Sequence, residues 1–251
     1  MSNSSLVSFT KISPNKTVGR THSIDTITIH CMAGNLSIET CGNLFARSST
    51  QASSNYGIGA DGRIGLYVDE KDRSWCSSNR ANDMRAVTIE VASEAKSPYR
   101  ISDNAYRSLV KLCADICKRN GIKKLVWSNS KSDRVNHING CNMTCHRDFA
   151  NKACPGDYIY NLEGQIAREV NALLGTTTPS GNTPTPSKTS VGYKVRITAN
   201  VLNIRKGAGT NYGKNGSIRK NEVYTIVEEK NGWGKLKSGA GWISLAYTKK
   251  I

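Results

Sequence analysis

No stretch of this 251-residue chain approaches the roughly 18 to 20 consecutive apolar residues that cross a bilayer, so the sequence offers no membrane-spanning helix. Its opening, Met1-Ser2-Asn3-Ser4-Ser5, lacks both the basic lead and the apolar stretch of a secretory signal, and the expectation is synthesis as a soluble cytoplasmic protein. Runs of five or more basic residues are also missing, although the net charge is +16 and the pI about 9.6. That spacing argues against a disordered basic tail. The charge itself favours polyanionic partners: nucleic acid, anionic membrane or cell-wall polymers. Cysteine is absent after Cys154, whereas eight cysteines lie between Cys31 and Cys154. Without a signal peptide a secreted disulfide scaffold is unsupported. Cys31, Cys113 and Cys117 read as reduced core residues.

What is present divides the chain in three. Residues 1–174 interleave strand and helix patterns, which implies an α/β core. Thr26 to Cys31 alternates cleanly, with Ile27, Ile29 and Cys31 on one face and Thr26, Thr28 and His30 on the other. Ala86 to Val91 repeats the pattern, with Glu90 and Thr88 opposite Val87, Ile89 and Val91. A hairpin is expected around Ala60-Asp61-Gly62, a helix from Ser37 to about Arg47, and another from Asp103 to Arg119 stopped by Gly121. Lys124 to Ser128 reads as a short strand, Trp75 to Asn82 as a loop with an exposed tryptophan, and the last helix as starting near Tyr160. Residues 175–190 are almost wholly Thr, Ser, Pro and Gly, the composition of a linker. Residues 191–251 show only short alternating runs between Gly-rich turns, the pattern of a small β-barrel or roll. They hold 12 Lys or Arg against 3 Glu, a net of +9, so more than half of the charge sits in under a quarter of the chain.

The stretch Cys145-His146-Arg147-Asp148-Phe149-Ala150-Asn151-Lys152-Ala153-Cys154-Pro155-Gly156 concentrates the chemistry. Imidazole and thiolate are natural ligands of a borderline ion such as zinc. His146 and Cys154 supply two, and His30, at the polar end of its strand, is the best third. Three ligands leave a fourth position for water, as in a catalytic zinc site. Lys152 is placed to meet an anion formed beside the metal, a task Tyr56 can share. Glu90 is a carboxylate inside an apolar strand, which needs either an ionic partner or a catalytic use. A rival set of Cys141, Cys145, His146 and Cys154 would instead make a closed structural site.

Residues 24–174 resemble the type 2 N-acetylmuramoyl-L-alanine amidases, a family that includes the peptidoglycan recognition proteins. The resemblance rests on Thr28-Ile29-His30-Cys31, Tyr56-Gly57-Ile58 before Asp61-Gly62, Ala86 through Val91, and above all His146 through Pro155. It implies a central mixed β-sheet flanked by helices, zinc on His30, His146 and Cys154, and catalytic roles for Lys152, Tyr56 and Glu90. The branch of the family with a strand glutamate usually has aspartate as the last ligand, where this chain has Cys154. Leu202 through Tyr212, Gly232-Trp233-Gly234 and Gly241-Trp242-Ile243 resemble the bacterial SH3-like domains of wall hydrolases. The implied whole is a phage or prophage endolysin acting on bacterial peptidoglycan after release through a holin. The alternatives are a host autolysin, a wall-recognition protein without turnover, and, on charge alone, a nucleic-acid enzyme.

Overall fold

A computed structural model describes residues 2–176, 190–209, 212–230 and 232–251. The chain forms two compact units. The expected linker, 175–190, lies almost entirely outside the described residues. The first unit runs β1 (Phe9–Thr10), β2 (Lys16–Thr17), β3 (Thr26–Cys31), α1 (Ile38–Phe45), β4 (Tyr56–Ile58), β5 (Ile64–Leu66) and β6 (Arg73–Ser74). It continues with α2 (Arg80–Arg85), β7 (Ala86–Val91), α3 (Asp103–Asn120), α4 (Lys131–Val135), β8 (Met143–Cys145) and α5 (Gly156–Leu173). Six strands make one mixed sheet in the order β1-β5-β4-β7-β3-β8, in which only the β4–β5 hairpin is antiparallel.

Period-2 alternation sorts the two central strands. Ile27, Ile29, Val87, Ile89 and Val91 share one core with Leu109, Leu112 and Ile116 of α3 and Ile159, Ile166 and Val170 of α5. Helix α3 starts where Ser102 Oγ accepts from Ala105 N–H and stops at Gly121, whose φ of 70° suits a residue without Cβ. The opposite sheet face is polar yet buried, so its groups must bond one another. Thr28 and Thr144 hydroxyls meet at 2.8 Å, and Asn82 of α2 bridges both, donating to Thr28 and accepting from Thr144. Thr88 bonds Ser74 Oγ at 2.7 Å and accepts from Asn55 N–H. This layer of hydroxyls and amides supports β3 and β7 on the face that carries His30 and Glu90.

A buried ion pair anchors the loop after β8. Arg134 Nε donates to Asp148 Oδ2 at 3.0 Å, both side chains being almost fully buried, and Nη1 donates to Ser128 O. Asp148 also accepts from Cys145 N–H, and the guanidinium stacks on Trp127, 4.3 Å from its ring centroid.

The structure differs from the expectations in four places. Lys124 to Ser128 joins no sheet, because side chains satisfy its backbone: Asn171 takes both polar groups of Leu125 and Asn142 accepts from Val126 N–H. The strand beside β3 is β8, three residues too short to show an alternation. Helix α5 begins at Gly156, so Pro155-Gly156 opens the helix instead of preceding it at a distance. Within the expected 75–82 loop α2 begins at Arg80, and Trp75 is half-buried, its Nε1–H donating to Thr17.

The second unit contains β9 (Ser190–Ile197), β10 (Val201–Arg205), β11 (Lys214–Arg219), β12 (Val223–Lys230), β13 (Trp233–Leu236), β14 (Trp242–Ser244) and β15 (Thr248–Lys250). They form one antiparallel sheet in the order β11-β10-β14-β13-β12-β9-β15. Its core is aliphatic: Val195, Ile197, Leu202, Ile204, Ile218, Ile226, Leu236 and Ile243. Tyr193, Tyr224 and Tyr247 pack at the core's edge, and Tyr212 is exposed against Gly207, where a Cβ would come within 2.5 Å of the ring.

Two stability predictions follow from buried charges. Arg134→Ala leaves Asp148 buried without its cation and is expected to lower unfolding free energy by about 3–5 kcal/mol, measured by urea denaturation. Glu163 of α5 is buried with neither carboxyl oxygen bonded among the described residues, and burial pushes its pKa well above the ordinary range. The folded state thus holds the proton longer than the unfolded one. Stability is full below the unfolded pKa of about 4.3 and declines as pH rises above it. Glu163→Gln is expected to match the parent in melting temperature at low pH and exceed it at neutral pH.

Candidate active site

Parallel pairing of β3 with β7 sets His30 opposite Glu90, and pairing of β4 with β7 sets Gly57 beside them. Laterally paired residues point to one face, so an imidazole and a carboxyl lie side by side, and Gly57 next to them admits the Tyr67 ring, which a Cβ would approach to 2.5 Å. Two other segments close over them. His146 leads the short turn after β8, and Cys154 precedes Pro155 at the entry to α5. Cys154 Sγ lies 3.4 Å from His30 Nδ1 and accepts from Cys31 N–H at 3.4 Å. The two imidazole rings meet edge to face, 5.1 Å between centroids. Ser78 Oγ contacts His146 Nε2 at 3.0 Å.

Donor atoms of His30, His146 and Cys154 all lie within 4.8 Å of one another, and so do those of His30, Cys76 and Glu90. Among the described residues, His30 Nε2 and Glu90 Oε2 are buried without a hydrogen-bond partner. An unsatisfied buried polar atom costs about 1–3 kcal/mol unless a ligand takes it up. Two imidazoles and a thiol with such unmet valence fit a divalent metal of borderline softness.

Burial sets the protonation of these groups. Burial, helped by His146, holds the His30 pKa down to about 3, so the imidazole is neutral and its lone pair free at working pH. His146 is lowered too, by burial and then by the Lys152 charge. Glu90 is raised to about 8, chiefly by burial and also by Cys31. Cys31 and Cys154 act as one thiol pair. The bond from Cys154 draws Cys31 down to about 7, while that bond and burial push Cys154 up. A cation held beside the two histidines would reverse this preference, since the Cys31 N–H already points at Cys154 Sγ and would stabilise charge there.

The structure therefore brings His30, His146, Cys154 and Glu90 together and sets exposed Lys152 at the rim, near enough to bias His146. Tyr56 stands apart, a correction to the sequence expectation. It pairs laterally with Ile89 on the apolar face. Its buried hydroxyl donates to Glu70 Oε1 at 2.6 Å and accepts from Ser4 N–H. Arg119 and Asn120 of α3 complete that network through Glu70. The rival four-ligand set does not assemble. Cys145 Sγ is turned to Asp148 Oδ2 at 3.4 Å, and neither Cys141 nor Cys145 joins a metal-capable group among the described residues. Sequence reading missed Cys76, whose Sγ faces Glu90 at 4.0 Å, and Ser78. Both lie in what read as plain loop, and no spacing pointed to them.

A neutral histidine pair, a thiol and a protonatable carboxyl gathered at the strand ends of a mixed sheet define a metal-dependent hydrolase. The chain belongs to the N-acetylmuramoyl-L-alanine amidase family, whose model matches residues 20–157. Its activity is hydrolysis of the amide between N-acetylmuramic acid and L-alanine in bacterial peptidoglycan. The bacterial SH3 domain model matches residues 200–249. Solved structures similar to the chain include PlyL, at 15% identity over 70% of this chain and 98% of that one, with a TM-score of 0.48. A selenomethionine derivative of AmpD is 19% identical over 68% and 95%, with a TM-score of 0.49. The amidase LysCS from Clostridium intestinale is 15% identical over 64% and 92%, with a TM-score of 0.46. No curated protein matches the chain.

The placement of Tyr56 generates a prediction. Tyr56→Phe is expected to lower stability by about 1–3 kcal/mol, because Glu70 loses a buried donor. Turnover per folded molecule should stay unchanged. Melting and kinetics on the same preparation separate these effects.

Proposed function

We propose that the chain is a zinc amidase of the endolysin type, with His30, His146 and Cys154 holding the ion. The observation that carries this reading is the convergence of their donor atoms within 4.8 Å around a neutral, buried His30. Two nitrogens and one sulfur suit zinc better than a hard oxygen-seeking ion. Zinc there supplies Lewis acidity toward the scissile carbonyl and lowers the pKa of a water.

The chain's own groups do the rest. Glu90, paired in register with His30, has an unpartnered Oε2 and a pKa near the operating range, the properties of a general base. It takes the proton of the attacking water at a carboxylate oxygen and returns it to the departing alanine nitrogen. The water oxygen bonds the carbonyl carbon, the C–N bond breaks, and the amine leaves neutral. Lys152 stabilises the negative charge that gathers on the carbonyl oxygen. Cys76 Sγ lies 4.0 Å from Glu90 Oε1 and donates a weak hydrogen bond to it.

Residues 1–174 then cut and residues 191–251 bind wall, joined through 175–190. The bacterial SH3 match and the net charge of +9 support that division. No helix among the described residues is long and apolar enough to cross a membrane, and as an endolysin the protein would reach the wall through a holin.

Three measurements test the reading. Metal analysis should show zinc lost in His30→Ala, His146→Ala and Cys154→Ala and kept in Cys141→Ala; the reverse pattern would restore the structural site. Glu90→Gln should reduce turnover by about 100- to 10,000-fold with zinc content and melting unchanged. The 1–174 fragment should cleave soluble muropeptide as the full chain does but bind intact wall more weakly. Equal wall binding by the two would remove the targeting role.

A further inference from the structure

Beside the loop that joins His146 to Cys154 lies an open depression of about 370 Å³ that the mechanism above leaves without a role beyond Lys152. Lys131, Arg147, Phe149, Ala150, Asn151 and Lys152 line it. Every ionisable group on its wall is a cation, and no carboxylate faces in. Arg147 is held in place: Nη2 donates to Ala153 O at 2.5 Å, Nη1 to Asp157 Oδ1 at 3.1 Å, and the guanidinium sits 4.6 Å from the Tyr160 ring centroid. Its Nε is buried without a hydrogen-bond partner among the described residues. Lys131 and Lys152 are exposed and enter no ion pair among the described residues. Asp157 offsets part of the Arg147 charge, so the two lysines dominate the local field. Two residues of its lining tie it to the site along the chain, since Arg147 follows His146 and Lys152 is two residues from Cys154.

We propose that this depression is a subsite for a carboxylate of the stem peptide, and that Lys131 distinguishes a free carboxylate from a carboxamide there. The inference rests on the amidase reading. A peptide running from the scissile amide carries acidic residues within a few bonds of the cut. Three cations and no acid favour such an anion, and the half-buried Phe149 offers an apolar wall to the aliphatic part of the same residue. A carboxamide has the same shape without the charge, so a cationic wall separates the two mainly by Coulomb attraction. Lys131 is the informative position, since it lies on α4, apart from the ligand loop and from Lys152.

The test uses the full-length, metal-loaded chain and two synthetic N-acetylmuramoyl peptides that differ only in a carboxylate or carboxamide at the second residue. The parent protein should prefer the carboxylate by about three- to tenfold in kcat/KM, mostly through KM. Lys131→Met should erase the preference and leave the carboxamide peptide's kinetics as they were, and Lys131→Glu should invert it. Calorimetric binding of both peptides to the metal-free full chain should show the same order. Raised salt should narrow the parent's preference, because exposed charges are screened beyond about 8 Å at physiological ionic strength. Equal parent kinetics on the two peptides, or equal losses on both in Lys131→Met, would overturn the subsite and leave the amidase reading intact. Cleavage of neither peptide would overturn the amidase reading, and this inference with it.

Discussion

The candidate site depends on one constraint, the parallel register that sets His30 of β3 against Glu90 of β7. Shifting either strand by one residue would send imidazole and carboxyl to opposite faces. The register is fixed from both sides. Beneath, the apolar residues of the two strands interlock with α3 and α5. Above, Thr28, Thr88, Thr144, Asn55, Asn82 and Ser74 satisfy one another in a buried hydrogen-bonded layer. A slipped strand would lose its apolar contacts and strand these hydroxyls together, so the two layers reinforce a single alignment.

On this base the site is deliberately unsatisfied. His30 Nε2 and Glu90 Oε2 are buried without partners, while the polar groups just below them are bonded. Folding thus places two groups where they interact poorly with protein and well with a cation or a reacting water. The same burial makes His30 neutral and keeps Glu90 protonated to unusually high pH. One physical cause, removal from water, keeps an imidazole neutral and brings a carboxyl's pKa near neutrality. The Arg134–Asp148 pair carries this order to the third side, holding the turn that bears His146.

Some features were readable from local pattern. Two alternating strands placed His30 and Glu90 on polar faces, and the crowding of histidine, lysine and cysteine between His146 and Cys154 marked a candidate metal site. The break into short strands and Gly-rich turns after residue 190 announced a separate all-β unit. These signals arise from periodicity and composition, which operate over a few residues and need no knowledge of the fold. Tyr56 shows how near the limit lies. Its own alternation groups it with Ile58, hence with the apolar face, against the role that the family resemblance implies.

Other features had no local signature. That Cys145 turns to Asp148 while Cys154 turns to His30 depends on a 3-10 turn held by Arg134, a residue twelve positions before His146. That Cys76 and Ser78 reach the site depends on α2 docking through Asn82 on two strands. That Lys131 joins Arg147 and Lys152 around one depression depends on α4 lying beside the ligand loop. Strand alternation reports which face a side chain takes. Which distant loops meet above that face follows from register and helix packing, long-range contacts that no short window of sequence contains.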